Sequence, residues 1–349
     1  MALAGRVRGH AGLAALPLLA AVLATPAGAL DRTHLAVVVN TRDALSVAIG
    51  EYYAARRRIS FQNVIRVAFE PGVPNLPARD FDAVRADVQR QTRPGVQAYA
   101  LTWAAPYRVD CMSITSAFAF GFDPAHCADG CKPTAASPLF NSAARLPHAR
   151  HGVRPTMALA ARSLEEARAL IDRGVAADGS RPEGTAYLLS TSDGARNVRH
   201  VLYPLLAQAA RERLAVKTLQ QDALENARDV LFYFTGRIRV EGLSTLRFLP
   251  GAIADHLTSA GGMLTDSPQM SALAWLEAGA TGSYGTVVEP CNLLQKFPHP
   301  AIVADRYLAG ETLIEAYWKG VLMPGQGIFV GEPLAAPFAR SEPRRDAAP

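Results

Sequence analysis

Beyond its first thirty residues the chain has no apolar run long enough to cross a bilayer, so it offers no candidate for a membrane-spanning helix there. It also lacks a basic stripe. The formal charge is +5 with the Lys and Arg residues spread along the chain, which leaves no electrostatic footprint for nucleic acid. Cysteine is scarce, with four in all. Two of them, Cys127 and Cys131, sit beside His126 as Cys-x3-Cys, without the second ligand pair of a structural zinc site. A dinucleotide loop is missing too. Gly279, Gly282 and Gly285 recur every three residues ahead of a strand, whereas that loop is Gly-x-Gly-x-x-Gly between strand and helix. Residues 281–285 nearly match a nucleophile elbow, but threonine replaces the first glycine and the strand follows instead of preceding. No cofactor or metal is expected, and no repeat recurs at solenoid spacing.

What is present begins with an export signal. Arg6 and Arg8 precede an apolar run at 11–24, and Ala27-Gly28-Ala29 is a small-x-small cleavage site. Residues 1–29 therefore read as a secretory signal peptide, and the mature chain as secreted or periplasmic. In that oxidising setting Cys111, Cys127, Cys131 and Cys291 are expected to form disulfides, with three connectivities open. Pairing Cys127 with Cys131 closes a small loop worth about 2 kcal/mol, and Cys111 with Cys291 a long one worth roughly 5 kcal/mol. That local-plus-long arrangement is favoured.

Apolar periodicity then gives the architecture. Residues 35–40, 64–69 and 99–103 read as strands, with helices between them at 43–58 and 81–91, the first closed by a solvated Arg56-Arg57-Arg58. Such alternation points to an α/β fold, a mostly parallel sheet with helices on both faces. Residues 110–161 break the pattern and read as an irregular, cysteine-bearing connection. Order returns at Ser163, a good helix cap before Glu165 and Glu166. Strands follow at 186–190, 216–219 and 229–234, a helix at 249–259, a short strand at 262–264, a helix at 270–278, a strand at 284–288, one long helix at 302–318 and a last strand at 327–330. The expected organisation is an N-terminal half at 30–109, the connection at 110–161, a C-terminal half at 162–338 and a disordered tail at 339–349.

Residues 279–292, Gly-Ala-Thr-Gly-Ser-Tyr-Gly-Thr-Val-Val-Glu-Pro-Cys-Asn, close a helix, turn, run a strand and stop at a proline between a carboxylate and a cysteine. Buried parallel strands present ligand-facing residues at their carboxyl ends. Glu289, Cys291 and Asn292 are accordingly placed on a functional rim, with Thr235, Asp266 and Asp110 as further binding candidates. Asp193 and Asp229 are weaker members of an acidic rim. Cys291 and His299 are eight apart on a Pro-rich loop, and a thiolate poised by that imidazole would make a hydrolase.

The segment at 285–292, with Thr102-Trp103, Tyr107-Arg108-Val109-Asp110 and Gly310-Glu311-Thr312, resembles a family of secreted bacterial proteins marked by Gly-Thr-Val-x-Glu-Pro-Cys-Asn. The likeness covers nearly the whole mature chain. More remotely the chain is similar to the gingipain-type cysteine peptidases, which implies a caspase-like fold. Those peptidases carry His-Gly after one strand and the nucleophilic cysteine after the next. The corresponding ends here are matched to Thr235-Gly236 and Leu264-Thr265-Asp266, and neither partner is present. The resemblance therefore implies the architecture without the usual dyad, and the expected partner is a peptide or an envelope component bound over the rim.

Overall fold

Strands and helices alternate through the computed structural model, which describes Met1, residues 29–128 and residues 131–339. The signal peptide, apart from Met1 and Ala29, and the tail beyond 339 lie outside the described residues. β1 (Leu35–Asn40) is buried at every position, as a valine-rich strand with neighbours on both sides must be. In α1 (Ala44–Arg57) the Asp43 side chain accepts the Leu45 N–H, and Arg58 ends the helix in the left-handed region. β2 (Val64–Val67), α2 (Ala78–Gln91) and β3 (Ala98–Leu101) follow, with β2 and β3 flanking β1 in parallel.

Residues 110–161, expected to be an irregular connection, carry short elements within it. A hairpin of β4 (Arg108–Val109) and β5 (Met112–Ser113) leads into α3 (Ile114–Phe120), then α4 (Pro147–His151) and β6 (Thr156–Ala158), which pairs with β3. α3 buries every residue but its last. A short helix with no polar face has no hydrophobic period to read.

The second half runs α5 (Leu164–Ala177), β7 (Thr185–Ser190), α6 (Tyr203–Ala209), β8 (Ala215–Gln220), β9 (Val230–Thr235), β10 (Phe248–His256), α7 (Leu273–Glu277), β11 (Gly282–Thr286), α8 (Pro300–Leu308), α9 (Leu313–Gly320) and β12 (Gly327–Gly331). β10 overturns the helix expected at 249–259: it is a strand parallel to both β9 and β11. Gly251, at φ 88°, and Pro250 disfavour a helix interior, and burial of residues 251–256 supplies the rest. The strand expected at 262–264 is a turn. The long helix at 302–318 is two, broken at Gly310 with φ 95° and restarted by a capping box between Thr312 and Glu315.

All ten long strands form one sheet in the order β2-β1-β3-β6-β12-β11-β10-β9-β7-β8. β12 runs antiparallel to β11 and meets β6 through the pair Val330 and Ala158. Helix contacts fix the direction of the two flanks. α1 and α5 lie side by side with their carboxyl ends together, Arg57 binding Asp178 and Tyr52 binding Asp172. The crossovers after β1 and β6 therefore run the same way, and the carboxyl ends of the strands on both sides of β12 share one rim. α1, α5 and α7 cover one face, with Arg173 of α5 donating to the Leu276 carbonyl of α7. α2, α3, α6, α8 and α9 cover the other, joined by contacts such as Phe81 on Phe118 and Phe120 on Trp318. The architecture is thus the α/β, mostly parallel sheet with helices on both faces expected from the pattern.

At the amino edge Arg57 is not a solvated cap. Its side chain is 8% exposed and pairs with Asp178 and with Glu332, itself fully buried. Glu332 also accepts from the Tyr53 hydroxyl at 2.6 Å and the Leu334 N–H at 3.3 Å. A buried carboxylate is tolerable because its lone pairs are filled in this way.

Candidate functional site

The carboxyl ends of β7, β9, β10 and β11 meet on one side of the rim. Gly236, just past β9, has to be glycine, because a Cβ there would lie 2.0 Å from the Arg196 carbonyl. That close approach brings the loop after β7 against the strand ends. Arg196 there bonds Asp193 and reaches the Thr258 hydroxyl at 3.1 Å. Below it Arg199 and Asp255, each about 1% exposed, form an ion pair at 2.5 Å. Arg199 also donates to the Thr235 carbonyl at 3.0 Å. Burial pushes the Asp255 carboxyl upward and Arg199 opposes it.

Alternation along β10 sends the next residue to the other face. There His256 Nδ1 accepts from Trp275 Nε1 at 2.9 Å. Burial, with Arg199 nearby, lowers its pKa to about 3. The ring is a neutral structural group and a poor proton acceptor.

β11 ends against the same loop, the Thr286 hydroxyl donating to the Ser259 carbonyl at 2.9 Å. Beyond it Glu289 Oε1 accepts the Cys291 N–H at 2.7 Å, and Gln326 donates to the Glu289 carbonyl at 2.8 Å. Cys291, in the left-handed region at φ 53°, is bonded to Cys131. These pieces enclose an open cavity of about 270 Å³ lined by Arg196, Thr258, Ser259, Glu289, Asn292 and Phe297, with the disulfide-bonded Cys291 on its wall. One cation, one anion, hydroxyls, an amide and an aromatic edge suit a polar ligand with an apolar part.

The sequence candidates divide. Glu289, Cys291 and Asn292 come together at the cavity. Thr235 lies on the same rim but is fully buried. Asp266 is exposed and accepts from the Tyr107 hydroxyl at 2.6 Å; burial and that carboxylate hold Tyr107 well above the usual phenol range. Asp110 binds the Asn75 amide and the Ala78 N–H, holding the start of α2. Asp229 belongs to the opposite edge, where it accepts from Thr185 at 2.6 Å and Tyr187 at 2.7 Å. It lines a larger cleft of about 890 Å³ away from the rim.

His299 opens α8, its N–H bonded to the Gly320 carbonyl, and does not line the cavity. With Cys291 in a disulfide it has no thiol to activate. The cysteine pairing also differs from the local-plus-long expectation: the bonds are Cys111–Cys127 and Cys131–Cys291, with Cα separations of 5.3 and 5.4 Å. α3 turns the chain back so that His126 stacks on Phe120, which delivers Cys127 to Cys111 and leaves Cys131 for the rim. Among the described residues no group of three His, Cys, Asp or Glu converges to hold a metal.

Sequence reasoning missed Thr258 and Ser259, because reading 249–259 as a helix hid a strand end, and it missed Arg196, which only the fold brings from the loop after β7 to Thr258. The same error displaced the strand matched to the peptidase cysteine. The end following β9 in the sheet is His256-Leu257-Thr258 on β10, not Leu264-Thr265-Asp266.

No family model matches the chain, and no curated protein matches it. Among solved structures it is similar to one described as "Structure of Protease", at 11% identity and a TM-score of 0.50, over 88% of this chain and 78% of that one. Another is a "Complex of Porphyromonas gingivalis RgpB pro- and mature domains", at 10% identity and a TM-score of 0.48, over 87% of this chain and 79% of that one. The chain shares its overall fold with a protease structure.

Proposed function

We propose that the chain is an exported, non-peptidase relative of the gingipain-type cysteine peptidases, binding a peptide or an envelope component over the carboxyl rim of its sheet. The observation that carries this reading is the state of the rim. Cys291 is bonded to Cys131, yet a cavity stays open beside it. A dyad needs a thiol within hydrogen-bond reach of a titrating imidazole. β9 and β10 end instead in Thr235-Gly236 and His256-Leu257-Thr258, the latter histidine neutral and held by Trp275. Two disulfides suit an oxidising compartment, and no helix among the described residues is long and apolar enough to cross a membrane.

The bonding of Cys291 to Cys131 speaks against the alternative, a hydrolase run by Cys291 and His299, because a disulfide sulfur is no thiolate nucleophile. Alkylation of the native, non-reduced protein followed by peptide mapping is expected to label no cysteine and to return a Cys131–Cys291 cross-linked peptide. Labelled Cys291 together with peptide turnover would overturn the reading. Screened against an immobilised peptide library, the protein is expected to retain ligands that Glu289→Ala and Asn292→Ala each bind about tenfold more weakly, ~1.4 kcal/mol, with unchanged melting temperature because both residues are exposed.

A further inference from the structure

The two edges of the ten-stranded sheet are finished differently. At the β2 edge Gln91 accepts the Arg66 N–H at 3.2 Å and donates to the Arg66 carbonyl at 2.9 Å. A side-chain amide thereby fills the backbone positions that an added strand would use, a common protection of edges. At the other edge β8 pairs with β7 through six consecutive residues, Thr185–Ser190 against Ala215–Gln220, without a bulge. Among the described residues no strand lies beyond it.

β8, Ala-Val-Lys-Thr-Leu-Gln, has no proline or glycine. Its single charge, Lys217, leans back over the Tyr187 ring at 5.4 Å instead of guarding the edge. The connection leading into β8 adds apolar surface. α6 lies against α8 on its inward side, while Val201, in the turn before α6, and Leu205, on α6, are 56% and 47% exposed. An open, unbroken strand edge whose incoming connection leaves apolar side chains exposed has the composition of an interface.

We propose that β8 pairs antiparallel with β8 of a second copy of this chain about a two-fold axis at Thr218, joining the two sheets into one. Residues opposite one another in an antiparallel pair share a sheet face, so only registers that pair odd with odd and even with even numbers keep both faces continuous. Centring on Lys217 would oppose two ammonium groups directly, which is unfavourable. Centring on Thr218 sets Thr218 against Thr218, Lys217 against Leu219 and Val216 against Gln220, with no like charges opposed. The strand is thus complementary to itself, as a two-fold contact requires.

The test uses the full mature chain in sedimentation velocity over a concentration series. A monomer–dimer equilibrium is expected. Thr218→Glu and Thr218→Lys, both at an exposed position, are expected to weaken it by about tenfold or more through like charges facing each other, whereas Thr218→Val preserves it. In a second arm Thr218→Cys forms an intermolecular disulfide under mild oxidation, because directly opposed Cα atoms lie within bridging distance. Ala215→Cys, whose counterpart lies beyond the strand, does not. A chain that stays monomeric throughout, cross-links equally at both positions, or dimerises indifferently to charge at 218 overturns the proposal. So does capture of a different protein's strand on β8 with no self-association.

Discussion

The two ends of the strands handle buried polarity in opposite ways. At the amino edge three carboxylates are each matched: Glu332 takes Tyr53, Arg57 and Leu334, Asp178 takes Arg57 and the Ala336 N–H, and Asp172 takes Tyr52 and Arg56. At the carboxyl rim the Thr235 hydroxyl, Lys296 Nζ and His299 Nδ1 are buried without a hydrogen-bond partner, and burial pulls the Lys296 ammonium and the His299 ring downward. Buried polar groups are ordinarily satisfied, and unsatisfied ones cost stability. The contrast assigns cohesion to the amino edge, and under the proposed reading the unsatisfied rim is where a ligand would be taken.

Three experiments would break or sharpen that contrast. The largest effect is expected from Glu332→Ala, which leaves the buried Tyr53 hydroxyl unpaired and Arg57 with Asp178 alone, and should cost about 3–5 kcal/mol in denaturant unfolding. Rim ligands should bind the folded fraction normally. A loss under about 1 kcal/mol would show that the amino edge does not hold the fold. Next, Cys131→Ser with Cys291→Ser opens a loop spanning 160 positions and should cost about 2–5 kcal/mol, but here rim binding should fall as well, since Glu289 and Asn292 flank the bridge. Unchanged binding would separate the disulfide from the site.

The third effect concerns acid, and at about pH 5.5 it is the smallest of the three, about 1.4 kcal/mol. His256 has a folded pKa of about 3, against about 6.5 when unfolded. Between these values the unfolded chain takes a proton that the folded one refuses. The stability associated with this group is therefore complete above about pH 6.5 and falls by up to about 1.4 kcal/mol per unit as pH drops toward 3. His256→Gln, which keeps an acceptor for Trp275, should flatten that part of the profile. An equally steep profile in the variant would place the acid sensitivity elsewhere.

Strands with β-branched runs and helices with side-chain caps were legible from the sequence. Leu35–Asn40 and the helix capped by Asp43 stand where their residues place them, as does the helix Ser163 opens by accepting the Glu166 N–H. Glu289, Cys291 and Asn292 were legible as a strand-end group. β10 was not, because Leu249, Ile253 and Leu257 at helical spacing imitate an amphipathic helix, and only parallel neighbours on both sides make them a strand. α3 was not, because a helix buried all round shows no period.

The amino-acid order by itself determined the alternation of elements, hence the layered α/β class, and the carboxylate, cysteine and amide at the end of β11. Those follow from local patterning and turn chemistry, which act over a few residues. Which cysteines join, whether Arg57 meets water or Glu332, and which loops wall the rim were decided only by tertiary packing. Each depends on segments distant in the chain arriving at one place, and no local pattern encodes such a meeting.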